Sequence, residues 1–313
     1  MGRGRVGRVF TQKIGLAALL VATAASTIAQ EKTFSVDVRL VRVLATVKNA
    51  SGQLIGNLRK EDFDLVDNGA PQEIRVFEKY TAQPLSIALM IDTSGSTAKD
   101  LRYELDSVKR FLQALFREGN PDDRVSLFSF NWEVRQQTRF TRNVSAMDRT
   151  LKALKAEAGT AMYDAICLAT QELEPREGRH VMVLVTDGGD TTSSRRYHDA
   201  LEAAHTTDTV VYAIVVMPIT NDAGRNIGGE NALTTIAAST GGRVFMPSDN
   251  AGLDKALDEI LRDLRTQYLI GYYPKNTNLT KDRFHRIELK TKNPDLRVVS
   301  RTGYYGEAIP PSR

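Results

Sequence analysis

The chain has 313 residues, more than the roughly 100–200 of one typical domain, so a large domain with a smaller companion is expected. Its composition, 42% hydrophobic and 26% charged, excludes collagen-like, repetitive and largely disordered proteins. The formal net charge is +4, but the first 29 residues contain four basic and no acidic side chains. The rest of the chain carries 38 basic and 38 acidic residues, which gives no reason to expect a nucleic-acid partner.

The N-terminal segment has the order of a secretory signal peptide. Basic residues precede an apolar run at 14–25, and small residues including Thr27 and Ala29 follow it. The apolar run is shorter than the ~20 residues that cross a bilayer, which favours cleavage after Ala29 over an uncleaved membrane anchor. We therefore predict a signal peptide over 1–29, no transmembrane span in the mature chain, and export to the periplasm, the cell surface or the medium.

Alternating apolar residues predict short strands on both sides of the central part of the chain. An N-terminal β unit is expected over 30–83, and further strands over 266–306, before a tail at 307–313. The predicted strands lie at 34–40 and 43–47, as a hairpin, and at 63–66, 74–77, 268–273, 286–290 and 297–300. Because an isolated hairpin is only marginally stable in water, the C-terminal strands should either pack with the N-terminal unit or extend the main sheet.

Between these flanks, from 84 to 265, strongly apolar strands alternate with amphipathic helices. This pattern is typical of an α/β fold with a doubly wound, mostly parallel sheet covered by helices on both faces. The first helix is predicted over 98–118, with Leu101, Leu105 and Val108 on its apolar face and its charged residues on the other. The predicted strands lie at 85–91, 124–130, 134–140, 180–186, 210–216 and 243–246, and the later helices at 146–155, 162–172, 195–207, 231–239 and 253–266.

Carboxylate and hydroxyl side chains stand where three segments reach the carboxyl edge of this sheet, which is where open α/β folds bind ligands. A loop at 92–96 follows the first apolar strand, Asp187 follows another, and Thr160 precedes a helix. Such hard oxygen ligands suit Mg²⁺, or Mn²⁺ or Ca²⁺, and leave a coordination position for water or for an incoming Asp or Glu carboxylate. The candidate ligands are Asp92, Ser94, Ser96, Thr160 and Asp187.

In order and spacing, the Asp-x-Ser-x-Ser loop, the separate Thr160 and the Thr-Asp-Gly at 186–188 resemble the metal-ion-dependent adhesion site of von Willebrand factor A (VWA) domains. The resemblance covers about residues 84–265 and implies that the five candidate residues form the metal shell, some of them through water. The flanks, including Gly303-Tyr304-Tyr305, look like the bacterial VWFA-related domain family of Acidobacteria. What the resemblance implies is an exported binding or adhesion module, not an enzyme, that recognises a protein partner through its metal.

Other interpretations stay open at this point. An Asp-Ser-Ser loop after a strand can be a helix N-cap, and Asp187-Gly188 can be a plain turn. An aspartic protease has the motif Asp-Thr-Gly, and here Ser94 occupies the position of the glycine. A haloacid-dehalogenase-type phosphatase has a second acidic residue at the position of Ser94. The sequence therefore does not support either enzyme. A metal-dependent hydrolase and a metal-independent structural envelope protein are the rival functions. For His198 and His205, seven apart on one predicted helix, a solvated helix face is preferred to a zinc site.

Overall fold

The computed structural model describes residues 40–79, 82–216, 226–275, 277 and 283–306. The predicted signal peptide at 1–29, residues 34–39 of the first predicted hairpin strand and the tail at 307–313 lie outside these residues, so the predicted hairpin pairing stays a prediction. Within the described ranges, no helix is both long enough and apolar enough to cross a membrane.

The central sheet has the order β10-β9-β8-β5-β6-β7 in the described part of the chain, and every neighbouring pair is parallel except β6 with β7. Its strands are β5 (Leu85–Asp92), β6 (Arg124–Phe130), β7 (Val134–Gln136), β8 (Arg179–Thr186), β9 (Val210–Val215) and β10 (Val244–Phe245). The helices are α1 (Leu101–Glu118), α2 (Val144–Ala153), α3 (Met162–Leu173), α4 (Tyr197–Thr206), α5 (Ile227–Thr240) and α6 (Asn250–Thr266).

Helices cover this sheet on both faces, which is why its central strands are apolar at nearly every position. Every residue of β5 and of β8 is buried. One hydrophobic core lies between the sheet and α1, α2 and α6, and a second lies between the sheet and α3, α4 and α5. The predicted doubly wound, mostly parallel α/β fold is confirmed.

Helix α1 differs from its prediction on the face that it turns to the core. Glu104 is buried there together with Leu101 and Val108, whereas Leu105 is only partly buried. The expectation that all charged residues of this helix occupy the outer face was therefore wrong. The helix also begins at Leu101, because a short 3₁₀ turn over Gly95–Thr97 follows the Asp92 loop.

The two flanks of the chain pair with each other in two small antiparallel sheets, with orders β13-β1-β11-β4 and β14-β12-β2-β3. The flanking strands are β1 (Val41–Lys48), β2 (Phe63–Asp67), β3 (Ala70–Pro71), β4 (Val76–Glu78), β11 (Tyr268–Tyr272), β12 (Phe284–Thr291), β13 (Arg297–Ser300) and β14 (Gly303–Tyr305). The all-β unit formed by both flanks is thus confirmed, and the alternative that the C-terminal strands extend the main sheet was wrong. Strand β14 was not predicted.

A fully buried carboxylate, Asp67, joins these small sheets. Its Oδ2 accepts hydrogen bonds from the hydroxyls of Tyr272 and Tyr304, each at 2.9 Å, and its Oδ1 lies 3.0 Å from His285 Nδ1. The imidazole of His285 also stacks on the ring of Tyr304. We call these four residues the Asp67 cluster.

The two histidines of helix α4 have different surroundings. His198 is exposed, but His205 is 4% exposed, and its ring packs edge-on against Phe284 at 5.1 Å. The expected solvated face therefore holds for His198 and was wrong for His205, because the last turn of α4 packs against the C-terminal strands.

Candidate metal centre

The Asp92 loop directs its carboxylate inward at the carboxyl end of β5. Asp92 is fully buried, its Oδ1 accepts the backbone N–H of Ser94 at 2.8 Å, and its Oδ2 accepts the hydroxyl of Thr186 at 2.6 Å. The hydroxyl oxygens of Ser94 and Ser96 lie 3.0 Å apart. Since Ser94 is buried and Ser96 is exposed, the oxygen atoms of the loop lead from the interior to the surface.

Thr160 and Asp187 share a second part of the same edge. A Cβ atom built on Gly189 would lie 3.2 Å from Asp187 Oδ1 and 3.8 Å from Thr160 Oγ1, so both oxygen atoms border one small space. The backbone N–H of Thr160 donates to the Thr191 hydroxyl at 3.0 Å, and its carbonyl accepts the N–H of Thr191. These bonds fix the Thr160 loop to the loop that follows Asp187.

The bond from Thr186 to Asp92 connects the two parts, because Thr186 directly precedes Asp187. Strands β5 and β8 are paired in parallel, so their carboxyl ends meet. The structure therefore brings all five sequence-predicted residues to one edge of the sheet. Their role as metal ligands stays a prediction.

The electrostatics of this edge favour a cation. Burial, as the largest cause, and the negative charge of Asp187 raise the pKa of the Asp92 carboxyl to about 6, although the hydrogen bonds from Thr186 and Ser94 oppose the rise. Among the described residues, neither Asp92 nor Asp187 forms an ion pair with Lys, Arg or His. Two neighbouring carboxylates without a cationic partner are stabilised when a divalent ion binds between them.

The donor set fits a hard divalent ion, with hydroxyls supplying part of its shell. In the part of the chain that is described, no group of three or more His, Cys, Asp or Glu side chains is arranged to hold a metal. The predicted centre has only two carboxylates, and its other three donors are hydroxyls. It therefore belongs to a different class from carboxylate-rich or histidine-rich metal sites.

An exposed aromatic ring stands at the rim of the centre. Trp132 is 57% exposed and its indole N–H donates to Glu157 at 3.2 Å. It lies against Gly159, which has a φ of +82°, and a Cβ there would lie 2.9 Å from Trp132 Cβ. Glycine at 159 thus allows the backbone and Cβ of Trp132 to pack closely against the residue that precedes Thr160.

Sequence reasoning included Thr186 in the motif at 186–188 without giving it a role, and it missed Glu104. Thr186 had a usable signal, because it directly precedes Asp187 and lies beside Asp92 once β5 and β8 are paired in register. Glu104 had a weaker signal, since it stands three residues after Leu101 and four before Val108, at a core position of the α1 face.

Helix α5 packs against the loop that contains Asp187 and Gly188. We expect Gly229→Ala to displace this loop. A Cβ on Gly229 would overlap the carbonyl oxygen of Gly188, so the loop must shift. Overpacking of this kind costs about 1–3 kcal/mol, and displacing Asp187 should also weaken metal binding. Thermal unfolding and calorimetric Mn²⁺ titration measure the two effects.

Gly228→Ala is the matched control for this substitution. Gly228 is exposed, and the nearest atom to its Cβ position is Asn226 Oδ1 at 3.5 Å. Alanine there should leave metal binding unchanged and raise stability slightly, because it restricts the unfolded chain. Equal melting temperatures and equal affinities for the two variants would show that α5 does not position the loop.

The von Willebrand factor type A domain family matches residues 86–259, more than half of the sequence. Together with the doubly wound fold, this match shows that the chain belongs to that family.

An uncharacterized protein of Synechocystis sp. is 33% identical over 137 residues, which are 39% of this chain and 32% of that protein. The match thus spans about a third of the relative's length. A von Willebrand factor type A structure from Catenulispora acidiphila aligns with a TM-score of 0.50 at 14% identity, covering 77% of this chain and 73% of the other. The vWF domain of the type V pili tip protein Mfa5 from Porphyromonas gingivalis aligns with a TM-score of 0.49 at 13% identity, covering 58% and 95%. These structural likenesses concern the fold alone.

Proposed function

We propose that the protein is an exported binding module that recognises a protein partner through a divalent cation, Mg²⁺ or alternatively Mn²⁺ or Ca²⁺. The observation that carries the proposal is the meeting of two carboxylates, without a cationic partner in the described residues, with three hydroxyls at the carboxyl edge of the sheet. An Asp or Glu carboxylate of the partner completes the coordination. Export rests on the order of residues 1–29.

Each residue has a distinct part in this proposal. Asp92 and Asp187 supply the negative charge that balances a divalent ion, and Ser94, Ser96 and Thr160 supply neutral oxygen atoms. Thr186 holds the buried Asp92 carboxylate in its orientation. Exposed Trp132 contributes apolar area to the partner contact. The proposal includes no catalytic step.

Calorimetric titration with Mn²⁺ tests the metal centre. Asp92→Asn keeps the size of the side chain but removes its charge, and should weaken binding at least roughly 100-fold while the fold is retained. Asp122→Asn is the control, because its carboxylate is largely exposed and lies away from the edge. Equal heats for the Asp92 variant and the wild type would sink the proposed metal site.

Capture experiments test the partner. Envelope proteins of the source bacterium are passed over the immobilised wild type with Mg²⁺, over the wild type with chelator, and over Asp92→Asn. A partner retained only in the first case, and lost when its carboxylates are converted to amides, supports the proposal. A partner retained equally in all three would favour the metal-independent structural role.

A further inference from the structure

Glu104 is a carboxylic acid in a place where the fold would otherwise put an apolar side chain. It lies in the first turn of α1, on the face that packs onto the sheet, and is only 2% exposed. The next buried residue on one side is Leu101, and on the other side are Ser107 and Val108. Burying a carboxyl group without a partner costs several kcal/mol, so such a position requires a compensating role.

Nothing in the described part of the chain satisfies this side chain. Neither carboxylate oxygen of Glu104 has a hydrogen-bond partner there, although both are inaccessible to solvent. Glu104 is not a helix cap, and it forms no ion pair with a described Lys, Arg or His. Buried polar atoms without partners are uncommon in folded proteins and call for an explanation.

The charges that act on Glu104 belong to the candidate metal centre. Burial, as the largest cause, and the negative charges of Asp92, Asp100 and Asp187 together raise the pKa of its carboxyl to about 8. Leu101, in the same turn as Glu104, belongs to the hydrophobic core that includes Ile91 and Val185, which lie directly before Asp92 and two residues before Asp187. A third acid, without a partner in the described residues, therefore lies close enough to the two predicted carboxylate ligands to interact with their charges.

We propose that Glu104 is a positioning residue of the metal centre, an outer acceptor for water bound to the cation. This inference rests on the proposed function of the Asp92 site. Glu104, Asp92 and Asp187 do not form a group arranged to hold a metal directly, which favours a role through water over direct ligation. A bound cation favours the ionised carboxyl of Glu104 over the protonated one, and that charge then adds to those of the two aspartates, so the centre retains a divalent cation more tightly than two carboxylates alone.

Two substitutions separate this role from a purely structural one. Glu104→Gln keeps the shape and one acceptor oxygen but removes the charge, and Glu104→Met removes both. Each variant should bind Mn²⁺ roughly 10–100-fold more weakly than the wild type, with the larger loss for methionine. Both should unfold at a higher temperature than the wild type when no metal is present, because an unpaired buried acid has been removed.

Asp106→Asn is the matched control. It removes one acidic charge from the same helix, two residues away, but Asp106 is exposed. We expect its Mn²⁺ affinity and its metal-free melting temperature to equal those of the wild type. Calorimetry and thermal unfolding of the purified protein after chelator treatment give both quantities for every variant.

The outcomes distinguish this inference from the proposed function. If the wild type binds Mn²⁺, Asp92→Asn does not, and both Glu104 variants bind like the wild type, the role of Glu104 is refuted and the metal site stands. If the Glu104 variants melt at a lower temperature without metal and keep their affinity, the residue is structural. If the wild type takes up no Mn²⁺, the proposed metal site and the role of Glu104 both fail.

Discussion

Replacing Asp67 with alanine is expected to lower the free energy of unfolding by roughly 3–5 kcal/mol, the usual cost of breaking a buried charged network. The substitution deprives the hydroxyls of Tyr272 and Tyr304 of their shared acceptor in the interior. Burial, together with the charge of Asp67, raises the pKa of both phenols above the ordinary value, so they remain protonated donors. His285 loses its carboxylate partner as well.

Asp64→Ala provides the comparison for this prediction. Asp64 lies on the same strand β2 but is exposed, and its removal should change stability by less than about 0.5 kcal/mol. Urea unfolding at pH 7 measures both variants. A loss below about 1 kcal/mol for Asp67→Ala would mean that water reaches the hydroxyls and that the Asp67 cluster does not hold the two small sheets together.

Acid should destabilise the protein through His205 by roughly 2–3 kcal/mol between pH 6.5 and 4.5. Burial, as the largest cause, and the charge of Arg301 lower the pKa of this imidazole to about 4, although a hydrogen bond with the backbone of Gly303 and the charge of Asp208 oppose the change. Below pH 6.5 the unfolded chain therefore takes up a proton that the folded chain does not. The contribution of neutral His205 to the free energy of unfolding is therefore fully present above the pKa of histidine in the unfolded chain. It is lost as the pH falls towards 4.

Two substitutions distinguish the effect of His205 on stability in acid from the effect of titrating carboxylates. His205→Phe keeps an aromatic ring against Phe284 and removes the ionisable group, so the fall in stability between pH 7 and pH 4.5 should shrink. His198→Gln changes an exposed histidine of the same helix and should leave the fall as in the wild type. Identical pH profiles for the wild type and His205→Phe would contradict the assignment. Urea unfolding at both pH values is the measurement.

Much of the α/β segment could be predicted from local patterns. Strands β5 and β8 are continuous apolar runs, and α1 repeats its apolar residues at helical spacing, so both kinds of element are visible in a few neighbouring residues. The grouping of Asp92, Thr160 and Asp187 followed from topology, because parallel strands end at one edge. The sequence therefore predicted where the candidate site lies before any contact was known.

The rest depended on contacts between residues far apart in the chain. The partners of Asp67 lie 205 to 237 positions away, and no local pattern relates an Asp on β2 to tyrosines near the C-terminus. The burial of His205 arises in the same way, since Phe284 and Tyr305 cover it. The burial of Glu104 was not predicted, because an acidic residue on a helix is normally exposed to solvent. Only the residues packed around it in the folded protein show that it is buried.

The pairing of the two flanks also constrains the order in which the protein can fold. In the part of the chain that is described, strand β1 pairs with β11 and β13, so these sheet contacts form only after the whole α/β segment has been synthesised. Until then, the edges of β1 that later pair with β11 and β13 are available to other chains, a state prone to aggregation. Folding of the α/β segment brings Leu85 and Thr266, its first and last residues, to fixed positions. This lowers the entropic cost of bringing the two flanks together. Strands β11, β13 and β12 therefore pair with β1 and β2 only after the α/β segment that precedes them in the sequence.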